Sequence, residues 1–149
     1  MKSLFDRAAA EELKQRMERL TPETPRLWGK MSAAQMMAHC SAAMEVSLGD
    51  KMMKQVLIGK LIGKRVKKRM LSGEPIGKNL PTDKAYVVRD DRDLNLERRR
   101  LAGYIDRFQA GGPEGCTKGP HSFFGKMTPE EWAELNHVHL DHHLRQFGV

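Results

Sequence analysis

The spacing of apolar residues along this chain predicts helices and no sheet. Apolar side chains recur every three or four residues in four long stretches, and no valine- or isoleucine-rich run alternates with polar residues as a strand would. We predict four main helices, over about 3–20, 32–48, 91–109 and 128–147. A further segment, 51–71, has a helical composition but carries Gly59 and Gly63, which weaken a helix.

Capping residues predict where the main helices begin. Ser3 and Asp6 resemble a capping box for the first helix, and Ser32 with Gln35 forms one for the second. The last helix has the clearest start, Thr128 followed by Pro129 and two acids. Glycine and proline mark the breaks, at 21–25, Gly49, 72–86, 111–113 and Gly148.

A long excursion separates the second and third main helices. About forty residues lie between them, enough for the two to run parallel, whereas short loops would give simple antiparallel neighbours. We therefore predict an all-α fold, a four-helix bundle with a long crossover between helices 2 and 3. The length of 149 residues fits a single domain over 1–149.

Two histidines of the last helix lie where a buried apolar stripe is expected. At about 100° per residue, Trp132, His139 and His143 fall within about 20° of one line, flanked by Leu135 and Phe147. A buried imidazole is unfavourable unless its ring nitrogens are satisfied. Two of them on adjacent turns indicate a shared partner, and a divalent metal ion fits this role.

Helix 2 supplies a third candidate ligand. It is apolar over most of its circumference, as expected of a helix enclosed by others, and His39 is its only histidine. If this side faces the last helix, His39, His139 and His143 form a three-nitrogen site with an open position. Zinc and nickel are the expected metals, and iron and copper accept the same ligands. The alternative is that each histidine donates to a backbone carbonyl.

The other histidines and Asp141 lie off this line. His137 points well away, and Asp141 lies about 160° from the ligands, so a direct role in the site is not expected. His142 lies near one edge, where it is either exposed or in contact with a substrate. His121, in the loop before the last helix, is a candidate for the rim of a pocket.

Charge and cysteine content narrow the choice of partners. The net charge is +7, and residues 51–78 carry nine Lys or Arg against Glu74 alone, so the rest of the chain is close to neutral. The aromatic residues of a protein that binds single-stranded nucleic acid are missing there, so the expected interpretation is a solvated helix face.

Cys40 and Cys116 form no disulfide framework, and we expect small apolar roles for both in a reducing cytoplasm. We expect no nucleic-acid or membrane partner, and a homodimer that covers some of the ten methionines.

Several segments together resemble the DinB/YfiT-like superfamily, and most closely one of its uncharacterised branches. They cover nearly the whole chain: Trp28 to His39, 78–83, His121 to Trp132, and His139 to Gln146. The resemblance implies a four-helix bundle with up-down-down-up topology, often dimeric, and a metal bound by three histidines, which match His39, His139 and His143. Characterised relatives include transferases and isomerases that use low-molecular-weight thiols. Two features depart from them: Leu144-Arg145-Gln146 stands where those relatives have Arg-Gly-Gln, and the basic stretch has no counterpart in their chemistry.

Three functions follow as hypotheses. The first is a divalent-metal-dependent enzyme, a thiol-dependent transferase or a hydrolase, acting on a small molecule. The second is a non-catalytic binding or stress-response module with a structural or vestigial metal site. The third assigns the basic stretch to a nucleic-acid or membrane-surface patch whose binding weakens with salt.

Overall fold

The computed structural model describes residues 1–149 and contains five α-helices and no β-strand, which confirms the all-α prediction. The helices are α1 (Arg7–Glu18), α2 (Ala33–Ser47), α3 (Leu57–Met70), α4 (Leu94–Gly111) and α5 (Pro129–Gln146). Two short 3₁₀ turns, Lys84–Tyr86 and Pro113–Gly115, lie in the connections. No helix combines the length and the apolar composition that a bilayer crossing requires.

Four of the helices surround the core. Helices α1 and α2 each pack against both α4 and α5, so the four close into a ring. A cluster of 27 buried apolar residues fills the ring, with Trp132 and Phe108 as its largest fully buried side chains. Eleven of the fifteen residues of α2 are buried, as its apolar circumference predicts. The up-down-down-up order of the four helices stays a prediction.

The predicted capping boxes of α2 and α5 are confirmed. The Ser32 hydroxyl accepts from the Gln35 backbone N–H at 3.1 Å, and the Gln35 side chain accepts from the Ser32 N–H at 2.9 Å. Thr128 and Glu131 make the same reciprocal pair at the start of α5. Each box satisfies N–H groups that have no partner within the first turn of a helix.

The predicted start of the first helix at Ser3 is wrong. The Ser3 hydroxyl accepts from the nearby Phe5 N–H, and Asp6 is the residue that caps α1, its carboxylate accepting from the Ala8 N–H at 2.9 Å. Leu4 is fully buried, and its N–H donates to the Ala133 carbonyl of α5 at 3.1 Å. The bond from Leu4 to Ala133 holds the first residues against α5 before the helix begins.

The crossover contains a helix, but it begins later than the sequence predicts. Residues 51–56 are not helical, because their polar groups bind the loop before α5. The Val56 N–H donates to the Ser122 carbonyl at 2.8 Å, and the Gln55 side-chain amide donates to the Phe123 carbonyl at 3.1 Å. Gly59 and Gly63 are buried against the same loop. A Cβ atom at either position would lie 2.3 Å from the Phe123 carbonyl oxygen, so the two glycines allow α3 to pack closely on it.

Candidate metal centre

Three histidines converge between α2 and α5. The Nε2 atoms of His39 and His139 are 3.0 Å apart, and the three ligand nitrogens of His39, His139 and His143 all lie within 4.8 Å of one another. The three pairs of ring centroids are 4.7–5.0 Å apart. His39 is buried, and the two histidines of α5 are partly buried. The structure therefore brings together the three residues that the sequence singled out.

The orientation of the His39 ring is fixed from outside the cluster. Its Nδ1 lies 2.9 Å from the Tyr86 carbonyl oxygen, which can only accept a hydrogen bond. His39 must therefore carry its proton on Nδ1. The lone pair of Nε2 points towards His139, as a metal ligand requires.

The His143 ring is held by a side chain of its own helix. Its Nδ1 lies 2.9 Å from the Gln146 Oε1 atom, and the Gln146 amide nitrogen donates to the Trp28 carbonyl at 2.8 Å. Because the Trp28 carbonyl needs a donor, the amide can be oriented in only one way, and its oxygen accepts from His143. Nε2 of His143 is then unprotonated and available as a ligand.

Burial keeps all three rings neutral. It lowers the pKa of His39 and lowers that of His143 to about 3, with the nearby His39 contributing to the second shift. The pKa of His139 is also well below its ordinary value, through burial and then through repulsion by His143 and His39. At neutral pH the cluster is a set of uncharged nitrogen donors, the form that binds metal.

The donor set fits a divalent transition metal. Three neutral imidazoles, two of them with fixed tautomers, are the ligands of open zinc sites, in which the nitrogen–metal distance is about 2.0–2.1 Å. Nitrogens bonded tetrahedrally at that distance are about 3.3 Å apart, close to the 3.0 Å that separates His39 and His139. His39, His139 and His143 would therefore hold the ion.

His142 lies at the edge of the cluster, as predicted. Its ring centroid is 5.1 Å from that of His143 and 5.6 Å from the centroid of the Trp28 ring. His142 also lines a cavity of about 440 Å³. Its lining also includes Trp28, Lys78 and Arg145, and the Lys78 ammonium lies 4.7 Å from the centre of the Trp28 ring.

Asp141 and His137 lie away from the three histidines. Asp141 forms ion pairs with Arg16 at 2.7 Å and with Arg145 at 2.9 Å, which lower the pKa of its carboxyl group against the opposing effect of burial. His137 is buried, and its Nε2 atom has no hydrogen-bond partner. Both side chains line the same cavity as His142, on the side that faces α1.

His121 has a fixed tautomer but does not line this cavity. Its Nδ1 accepts from the backbone N–H groups of Phe123 and Phe124 at 3.0 and 3.1 Å, so the proton resides on Nε2. The ring stacks on Phe124 and lies 5.5 Å from the Trp132 ring, and burial lowers its pKa to about 4. The hydrogen bonds show that His121 organises the loop beneath α3. Its place at the rim of a pocket beside the three histidines stays a prediction.

The two cysteines are not poised as nucleophiles. Both are free and buried. Burial raises the pKa of Cys40 far above its ordinary range and raises that of Cys116 to about 11. A thiol of such high pKa is protonated at neutral pH, which agrees with the small apolar roles predicted for both.

The residues that orient the ligands were not predicted from the sequence. Gln146 lies three positions after His143, a spacing that places both on one helix face, and that signal was available. The Tyr86 and Trp28 carbonyls were not predictable, since any residue supplies a carbonyl and only the tertiary fold selects which one binds.

Comparison with known proteins identifies the family. No match to the chain was found among curated proteins or among solved structures. One family model, described as a protein of unknown function (DUF1569), matches residues 3–148 and so includes all three histidines. With nearly the whole length matched, this helical chain with its three-histidine cluster belongs to the DUF1569 family.

Proposed function

We propose that the protein is a divalent-metal-dependent enzyme acting on a small molecule. One observation carries the proposal: three neutral imidazoles from two helices converge within 4.8 Å, and the rings of His39 and His143 each donate a hydrogen bond from Nδ1, which leaves their Nε2 atoms free as ligands. Structural histidines that merely donate to carbonyls would not need to meet at one point. The metals that suit the site are zinc and nickel.

The resemblance to the DinB/YfiT-like superfamily supports the same proposal. It implies an up-down-down-up bundle, and the ring of α1, α4, α2 and α5 is compatible with it. It also favours a low-molecular-weight thiol as the substrate or co-substrate. Neither buried cysteine can serve as the nucleophile, so an external thiol or a water molecule would have to supply it.

The residues around the three histidines have separate tasks in this proposal. When bound, a divalent ion supplies Lewis acidity and lowers the pKa of a coordinated thiol or water. Tyr86 and Gln146 hold the ligand rings in their binding tautomers. His142 adjoins both the ligand His143 and the cavity, whose Trp28 ring and Lys78 ammonium would bind an aromatic or anionic part of the substrate.

Metal content tests the site directly. Protein purified without an affinity tag and exposed to zinc or nickel should hold one ion per chain, measured by elemental mass spectrometry. His39→Ala and His143→Ala should each lose it. His142→Ala is the matched control, because it removes a neighbouring histidine of the same helix that is not a ligand. Retention of the ion by both ligand variants would overturn the proposal.

A purely structural metal is the alternative, and one observation favours it: His39 on α2 and the pair on α5 would make an ion a cross-link between two bundle helices. Stripping the ion with a chelator separates the two roles. An enzyme with an open site should remain folded without metal, with its helical circular dichroism intact. Unfolding on chelation would instead assign the ion to stability.

A further inference from the structure

The outward face of α3 carries bare apolar side chains. Leu57 and Leu61 are 79% and 82% exposed, and Ile58 and Ile62 are 53% and 43% exposed. With Met52 and Val56 they make up six of the eleven large apolar residues that are exposed anywhere on the chain. We call Leu57, Ile58, Leu61 and Ile62 the α3 crest. Such a contiguous apolar surface is unusual on a monomer and marks an interaction site.

The side of α3 opposite the crest contacts the rest of the chain. Gly59 and Gly63, on the opposite side of the helix, lie against the Phe123 carbonyl oxygen. Lys67 forms an ion pair with Glu131 at 2.6 Å, which ties the later turns of α3 to the first turn of α5. Because these contacts are made by the inner side of α3, the crest faces away from the bundle.

Positive charge surrounds the crest. The exposed side chains Lys60, Lys64, Arg65 and Lys68 belong to the same helix and form no ion pairs within the chain. No acid occurs between Lys51 and Gly73. The segment 51–78 has a net charge of +8 (nine basic residues, one acid) in a chain of net +7, so the remaining residues together carry −1. The partner of this face should therefore be both anionic and able to take up apolar side chains.

We propose that the α3 crest docks on the surface of an anionic lipid bilayer. The four apolar side chains would enter the boundary between headgroups and acyl chains, and the basic side chains would meet the lipid phosphates. The helix would lie in the plane of the interface, which requires no membrane-spanning segment.

Charge and shape favour lipid over the other occupants. A second copy paired about a two-fold axis would bring two α3 helices together, and neither contains an acid to offset the repulsion between their basic side chains. A nucleic acid would use the lysines and arginines but not the exposed leucines. The crest side chains project into solvent, and a fluid bilayer can surround them without a preformed groove.

Vesicle co-sedimentation tests the proposal with the whole protein. Vesicles of phosphatidylcholine mixed with phosphatidylglycerol should bind it, and phosphatidylcholine alone should not at physiological salt. The double variant Leu57→Ser/Leu61→Ser should lower the partition coefficient roughly tenfold per leucine. Its matched control is Leu96→Ser on α4, a leucine 56% exposed and distant in sequence, which should bind as the unchanged protein does.

Two double charge-reversal variants test the contribution of the basic side chains to lipid binding. Lys64→Glu/Lys68→Glu should abolish the preference for phosphatidylglycerol, whereas Lys30→Glu/Arg99→Glu removes the same charge from other exposed positions and should largely keep it. Circular dichroism verifies the fold of every variant.

Three results would overturn the proposal. The first is no binding to phosphatidylglycerol vesicles even at low salt. The second is binding that Leu57→Ser/Leu61→Ser leaves unchanged, with duplex DNA retained as tightly, which would assign the face to nucleic acid. The third is a dimer in light scattering that the leucine variant converts to a monomer, which would assign the crest to a second copy of the chain.

Discussion

The three-histidine cluster and the α3 crest depart from the usual distribution of polar and apolar groups in opposite directions. The cluster places ionisable rings inside the bundle, and the crest places leucine and isoleucine in water. In the cluster, hydrogen bonds to Tyr86 and Gln146 compensate for part of the cost of burial. On the crest, nothing within the chain covers the side chains, so compensation must come from outside.

This difference in pairing predicts how each region should respond to substitution. Substitutions in the cluster act on groups that are already paired, so their effects should be visible in the isolated protein. Substitutions on the crest act on groups that have no partner, so the folded protein should tolerate them and only binding should suffer. Four predictions test this distinction, in order of decreasing expected effect.

The largest difference in stability should be between replacing a leucine of the core and replacing a leucine of the crest. Leu101 is 1% exposed and Leu61 is 82% exposed, and both lie in helices. Leu101→Ser should lower the free energy of unfolding by about 3–5 kcal/mol, because it leaves a cavity with a polar group in it. Leu61→Ser should change it by no more than about 0.5 kcal/mol. Urea denaturation measures both, and equal losses would mean that the crest is packed within the isolated chain.

Acidification should destabilise the metal-free protein. The pKa of His121 is about 4 in the folded state, against about 6.5 when unfolded. The unfolded chain therefore binds more protons between these values, and stability falls as pH drops from 6.5 to 4, by roughly 3 kcal/mol for this group. The cluster histidines, whose pKa values are also lowered, should add to the loss.

A variant isolates the contribution of His121 to this pH dependence. His121→Asn keeps an acceptor near the Phe123 and Phe124 N–H groups but does not titrate, so its loss of stability on acidification should be smaller. Urea denaturation of both proteins at pH 7 and pH 4.5 gives the comparison. Parallel losses in the two would show that His121 does not contribute.

Removing the support of one ligand should weaken metal binding without abolishing it. Gln146→Leu deletes the acceptor of the His143 Nδ1–H group, and we expect the metal affinity to fall about 10–100-fold. Gln15→Leu, the same substitution at an exposed position of α1, should leave the affinity unchanged. Competition with a chromogenic chelator measures both. Equal affinities would mean that Gln146 does not orient the ligand.

The smallest effect on stability should come from the close packing of α3 against the Phe123 carbonyl. Gly63→Ala adds a Cβ atom 2.3 Å from the Phe123 carbonyl oxygen, a backbone atom, so the helix must move, at a cost of about 1–2 kcal/mol. Gly103→Ala, in α4, adds a Cβ atom with nothing within 4 Å and should stabilise the protein by about 0.5–1 kcal/mol. Thermal unfolding compares the two variants. If both stabilise the protein, α3 packs only loosely on the loop at Phe123.

Local signals predicted most of the helices and the three histidines. The spacing of His139 and His143 and the capping box at Thr128 are properties of adjacent turns, and they are fixed once α5 forms. The errors arose where long-range bonds override local ones. The segment before α3 is not helical and binds the loop at Phe123 instead, and the Leu4 N–H binds the Ala133 carbonyl of α5, so α1 begins after Asp6 and not at Ser3.

By itself, the sequence determined the all-α class, the enclosure of α2 and the placement of two histidines on one inner face, because helical periodicity links positions three and four apart. Only the tertiary structure decided that His39 meets them, that Tyr86 and Gln146 fix the ligand rings, and that the α3 crest is left uncovered. Those outcomes depend on contacts between residues far apart in the chain, such as His39 and His139, which are 100 positions apart, and no local pattern specifies which of many apolar faces will be covered.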